Sequence, residues 1–245
     1  MTYCVGMMLR KGLVFMSDTR TNAGLDNIST FRKMKIWERS GDRVITLLSA
    51  GNLATTQSVI SLLDERTKSP DDRDPALMDT PSMFQTARMV ADTLREVISK
   101  HSDTGQEASN TFNATIILGG QIAGSPPRLF LIYPEGNFIE ASADTPFFQI
   151  GEIKYGRPIL VRAYSDNMSF EDAIRLLLVS FDSTMKANLT VGAPLDYLCL
   201  ETDTLSRVSE GRFEPDDPAL QAISKNWGDA LQNALESLPG IDLPG

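Results

Sequence analysis

Met1-Thr2-Tyr3-Cys4-Val5-Gly6-Met7-Met8-Leu9-Arg10-Lys11-Gly12-Leu13-Val14-Phe15-Met16-Ser17-Asp18 decides how the rest of the chain is read. Two apolar runs, Thr2 to Met8 and Leu13 to Ser17, flank the turn signal Arg10-Lys11-Gly12, which predicts a β-hairpin with both strands substantially buried. A threonine follows the initiator methionine. Initiator removal is efficient when the second residue is small, so the mature chain is expected to begin at Thr2. Its hydroxyl and its free α-amino group would then put a nucleophile and a base in one residue. An α-amino group has an ordinary pKa of about 7.7–8.0, close to the range in which a general base works best.

A nucleophile of this kind needs a cation nearby, and the cation needs a carboxylate to hold it. Asp18 ends the strand paired with the first, so a tight hairpin returns it beside Thr2. Lys33 follows among Phe31, Met34 and Ile36, and a lysine in such company is costly unless paired. Asp18 is its natural partner, and Arg20 lies two residues further on.

Working outward, Thr19 to Ser29 is polar and reads as a loop. Phe31 to Trp37 and Arg43 to Ala50 read as strands about a turn at Ser40-Gly41-Asp42. Leu53–Lys68 and Ser82–His101 read as helices. A second block of strands is expected at Phe112–Leu118, Arg128–Tyr133, Phe138–Ala141 and Phe147–Ile150. Ser169 with Asp172 opens a further helix as an N-terminal capping box. Tyr197–Glu201 and Arg207–Arg212 read as strands, and Ala219–Leu238 as a last helix carrying the stripe Ile223, Trp227, Leu231 and Leu235, expected to pack on its own core or a neighbour. Strands and helices come in blocks, which excludes a doubly wound parallel sheet and favours an α+β arrangement, two antiparallel sheets face to face with helices outside.

Composition narrows the function classes. The chain has 245 residues and a formal charge of −9, against a nucleic-acid partner. No apolar run reaches the length of a membrane span, and no signal peptide is evident, so a cytoplasmic location is expected. Two cysteines, Cys4 and Cys199, make no disulfide framework, and both sit in apolar runs where buried thiols are expected. A single histidine, His101, speaks against a histidine-based triad or metal site. No metal or organic cofactor is expected.

The residues Ser17-Asp18-Thr19-Arg20-Thr21-Asn22-Ala23-Gly24, Ser29-Thr30-Phe31-Arg32-Lys33 and Ala50-Gly51-Asn52-Leu53-Ala54-Thr55-Thr56 resemble the proteasome-type β-subunits, N-terminal-nucleophile hydrolases with an αββα sandwich, and within them the bacterial branch called Anbu. The likeness is strongest over residues 2–60 and collinear to about residue 205. It implies one proteasome-like domain over residues 2–212, extended by a C-terminal helix and tail over 213–245. It implies Thr2 as nucleophile and base, Asp18 as the carboxylate and Lys33 as the lysine, with Lys35 still open because the family's spacing falls between the two. The oxyanion donor would be a backbone N–H of Leu48 or Ser49. Thr21 and Asn22 would lie beside an extended peptide. Where the family has a serine near the nucleophile, this chain offers Glu152 or Tyr155. Where the family has an Asp-x-x-Ser-Gly segment, Asn188 and Thr190 stand in. The implied function is a threonine-type peptide hydrolase acting on peptide or unfolded protein within a homo-oligomeric ring or spiral; an ATPase unfoldase partner follows from the resemblance alone. Alternatives are an amidase or transpeptidase on small amides, and a non-catalytic assembly subunit.

Overall fold

The computed structural model describes residues 2–22, 28–68, 76–102 and 112–241. The opening hairpin forms as read: β1 (Tyr3–Leu9) and β2 (Gly12–Asp18) pair antiparallel through a two-residue turn, with Leu9 opposite Gly12 and Cys4 opposite Ser17. A two-residue turn fixes the register, and that register carries Asp18 to the level of Tyr3.

Residues 19–29 depart from the expected loop. β3 (Arg20–Asn22) and β4 (Ile28–Thr30) form a separate two-stranded ribbon, pairing Arg20 with Thr30. Strands of only three residues leave no alternation for a sequence reading to detect. β5 (Met34–Arg39) then pairs with β6 (Arg43–Gly51), so Lys33 precedes the strand instead of lying within it.

α1 (Leu53–Lys68), a short 3-10 turn at Leu77–Asp79 and α2 (Met83–Ser102) follow. Then come β7 (Ala114–Ile122), β8 (Arg128–Ile132), β9 (Phe138–Glu140) and β10 (Phe147–Gly151). β7 runs on through Gly119 and Gly120, where the sequence reading placed its end. A side chain at Gly119 would come within 2.7 Å of the Phe15 ring, so the missing Cβ is what lets the facing sheet close on this strand. α3 (Arg157–Ala163) was not legible; α4 (Phe170–Ala187), β11 (Leu195–Glu201), β12 (Ser209–Phe213) and α5 (Pro218–Glu236) complete the chain. α4 starts as expected, with the Asp172 N–H donating to Ser169 Oγ at 2.9 Å.

The strands make two five-stranded antiparallel sheets, ordered β10-β1-β2-β11-β12 and β5-β6-β7-β8-β9. Three apolar layers hold them together. Cys4, Leu13, Phe15, Leu48, Ile117 and Leu198 fill the space between the sheets. Ile45, Leu47 and Phe130 pack under α1 and α2 with Val59, Leu63 and Val90. Tyr3, Val5 and Met16 pack under α3 and α4 with Leu160, Leu177 and Phe181. The molecule is therefore an αββα sandwich. Strands buried on both faces explain the nearly unbroken apolar runs. The α5 stripe joins the core only at its start: Leu220 is buried and Ile223 half-buried, whereas Leu231 and Leu235 are exposed.

Candidate active site

The site lies at one open end of the sandwich, where β1 begins and β2 and β6 end. Asp18 is fully buried. Its Oδ1 accepts the Tyr3 N–H at 2.9 Å and the Lys33 ammonium at 2.6 Å. Burial pushes the Asp18 carboxyl above the usual carboxylate range, while the Lys33 charge and the Tyr3 N–H pull against that rise.

Lys33 is only 6% exposed. Its ammonium also donates to the Arg20 carbonyl at 2.7 Å. The backbone of residues 31–33 is stitched to both sheets: the Phe31 N–H donates to the Thr19 carbonyl at 2.8 Å, and the Lys33 carbonyl accepts the Ser49 N–H at 3.0 Å. Among the described residues, two of the three Lys33 ammonium donors have partners. Lys33 and Thr2 line one cavity of about 130 Å³ together with Thr21, Phe31, Ser49 and Gly51. Lys35 goes elsewhere, donating to Asp64 on α1 at 2.8 Å.

A family model described as the proteasome subunit matches residues 2–194. The chain belongs to the proteasome subunit family. It is 46% identical to Anbu (ancestral beta-subunit) from Yersinia bercovieri, covering 98% of this chain and 100% of that one with a TM-score of 0.91. Against Anbu from Hyphomicrobium sp. strain MC1 the identity is 48%, over 98% and 100% of the two chains, with a TM-score of 0.90. A helical assembly of the Anbu complex from Pseudomonas aeruginosa gives 47%, 98% of each chain and a TM-score of 0.90. No curated protein matches the chain.

Within this proteasome-type frame, the expected oxyanion donors need correction. The Ser49 N–H is spent on the Lys33 carbonyl, and by alternation the Leu48 N–H faces the other edge of β6, where Leu48 is paired with Ile117 of β7. Neither amide is available to an incoming oxygen. Donors alternate between the two edges of a strand. The Gly51 N–H therefore points to the same edge as that of Ser49, beyond Met34, where β5 has not yet begun to pair. Gly51 lines the cavity and holds φ +119°, a conformation that favours glycine. The sequence signal was there, a glycine between the end of a strand and the start of a helix.

Asn188, Thr190 and Glu152 form a second cluster, joined to Thr2 where the Glu152 N–H donates to the Thr2 carbonyl at 2.7 Å. Asn188 caps the C-terminus of α4, and its Nδ2 donates to Glu152 Oε2 at 3.0 Å. Asn188 Oδ1 accepts both the Thr190 hydroxyl at 2.6 Å and the Thr190 N–H at 3.0 Å. Arg20 donates to the Leu189 carbonyl at 2.9 Å, tying β3 to the same loop. Of the two residues offered in place of the family's serine, Glu152 is buried and Tyr155 is 45% exposed. Thr21 is half-buried in the cavity wall; the side chains of Asn22 and His101 lie outside the described residues. Cys4 is buried beside the site, and burial pushes its thiol well above the usual range.

Proposed function

We propose that this chain is a threonine-type hydrolase of peptide amides that becomes competent when Met1 is removed. The observation that carries the reading is the buried Lys33–Asp18 pair, anchored on the Tyr3 N–H and opening onto the cavity that Thr2 lines. In the first step Thr2 Oγ adds to the substrate carbonyl, and the Thr2 amine takes the hydroxyl proton directly or through one water. The Lys33 ammonium stabilises the negative charge that grows on Oγ, and Asp18 holds that ammonium in place. The Gly51 N–H holds the oxyanion. Collapse of the tetrahedral adduct breaks the C–N bond. The leaving amine takes the proton from the Thr2 ammonium, and an ester on Thr2 remains. Water then cleaves the ester, with the Thr2 amine again accepting and returning the proton.

Peptide or unfolded protein is the substrate class, and self-association goes with it: the Pseudomonas aeruginosa relative is described as a helical assembly. A second reading, hydrolysis of a small amide, is favoured by the compact cavity of about 130 Å³. Turnover of a peptide library and of single-residue amides by the wild-type protein, compared with Thr2→Ala, tests both. Peptide cleavage abolished in Thr2→Ala supports the first reading, and cleavage of single-residue amides alone supports the second. Activity that survives Thr2→Ala contradicts both.

A further inference from the structure

Glu152 is a carboxylate only 7% exposed. Its backbone is fixed against Thr2, because the Glu152 N–H donates to the Thr2 carbonyl at 2.7 Å. The β1–β10 ladder pairs Tyr3 with Gly151, and one further step of that register sets Glu152 opposite Thr2. The N–H of Tyr3 points toward β2, where Asp18 accepts it. By alternation, the nitrogen of Thr2 points to the other edge, toward Glu152.

The side-chain partners of Glu152 among the described residues are neutral donors, Asn188 Nδ2 at 3.0 Å and the Lys154 N–H at 3.2 Å. A buried carboxylate held by neutral donors alone is costly. The charged and titratable groups around it are engaged elsewhere or lie outside. Asp18 and Lys33 pair with each other, and Arg20 is bound to the Leu189 carbonyl. The Arg157 guanidinium sits over the Phe147 ring. The Tyr3 hydroxyl is bound to Ser180 and Gln149, and burial pushes it up to about 12. The side chains of Lys154 and Tyr155 are exposed, and on α4 Asp182 and Lys186 line a different cavity with Arg20.

Removal of Met1 would create the absent cation. We infer that Glu152 is the counter-ion of the liberated Thr2 α-ammonium, a positioning residue braced by Asn188 and Thr190. The inference rests on the Met1 removal proposed above and deepens the hydrolase reading. Its sign follows directly: an anion beside an ammonium favours the protonated form, so the Thr2 amine should titrate above the ordinary 7.7–8.0 or so. The free base is then scarce at neutral pH, and chemistry that needs it speeds up toward alkaline pH.

The test is the pH dependence of Thr2 α-amine acylation by acetic anhydride, read by mass spectrometry of the N-terminal peptide in protein whose intact mass lacks Met1. The wild-type midpoint is expected above 8, and Glu152→Gln is expected to lower it by about one pH unit or more. A wild-type midpoint at or below the ordinary range overturns the assignment without any variant having to fold. So does a Glu152→Gln protein that melts earlier but titrates alike, because a merely structural Glu152 would behave that way. Treating the same samples with a peptide epoxyketone separates this inference from the hydrolase reading. A shifted midpoint in protein that no epoxyketone labels keeps Glu152 as the counter-ion and sinks the hydrolase; an ordinary midpoint in protein that labels does the reverse. Wild-type protein that retains Met1 overturns both.

Discussion

Lys33 and Lys35 stand two residues apart, and they meet opposite fates. Lys33 lies just before β5, is enclosed between the end of β2 and the end of β6, and pairs with a fully buried carboxylate. Lys35 lies inside β5 and reaches Asp64 on α1, both side chains about one-third exposed, with the Trp37 indole donating to the other oxygen of Asp64. Strand periodicity would give both lysines the same face. What separates them is where the strand begins, and that is set by the backbone bonds of residues 31–33 to Thr19 and Ser49. A pair closed off from water and a pair left half in water also have different energetics, and the difference can be measured.

The largest effect is expected from Lys33→Met. Removing one partner of a buried ion pair leaves the other uncompensated and costs about 3–5 kcal/mol. Urea denaturation measures that loss, and capture of an epoxyketone by Thr2 should fall by roughly a hundredfold or more. Adding Asp18→Asn to Lys33→Met should restore much of the stability and none of the capture. Next comes Gly51→Ala. A Cβ there presses into the Asn113 carbonyl at a backbone angle that side chains rarely adopt, for a cost of about 1–3 kcal/mol. Capture should fall with the displaced N–H, which is the check on Gly51 against Leu48 and Ser49.

A pH profile sharpens the comparison further. Burial raises the Asp18 carboxyl, so it takes up a proton as the pH falls at values above the ordinary carboxylate pKa of about 3.9. In the linkage sense this proton is bound more tightly by the folded chain. The penalty of the buried carboxylate is therefore present at higher pH and relieved on acidification. Function runs the other way, because a neutral Asp18 no longer anchors the Lys33 ammonium. The acid limb of the capture rate should lie above 3.9 or so, and Asp18→Asn should abolish that limb together with most of the rate. The smallest effect belongs to Lys35→Met. Half-exposed pairs contribute about 0–1 kcal/mol, and capture should change by no more than about twofold. A large loss of capture in Lys35→Met would reverse the assignment of the two lysines.

The sequence was most legible where structure is local. The β1–β2 hairpin follows from two apolar runs and a two-residue turn, α1 runs from Leu53 to Lys68 as read, and Ser169 caps α4. Those signals live within a few residues of each other. The β3–β4 ribbon is local too, but its three-residue strands are too short to show a period, whereas the continuation of β7 through two glycines depends on contacts made from far away in sequence. The candidate site divides along the same line. Asp18 and Lys33 could be paired from the hairpin and from the cost of burying a lysine. Gly51 could not be told from Leu48 or Ser49 without knowing where β5 begins. Glu152 comes opposite Thr2 only because β10, near residue 150, pairs with the first strand.

The account depends most on a free amine and an attacking hydroxyl sharing Thr2. An epoxyketone closes a ring through both groups, so its adduct reports them together. Intact-mass and peptide mapping of the wild-type protein after such treatment should show a chain without Met1 and one adduct on Thr2. A chain that keeps Met1, or a Met1-free chain that stays unmodified, would contradict the account.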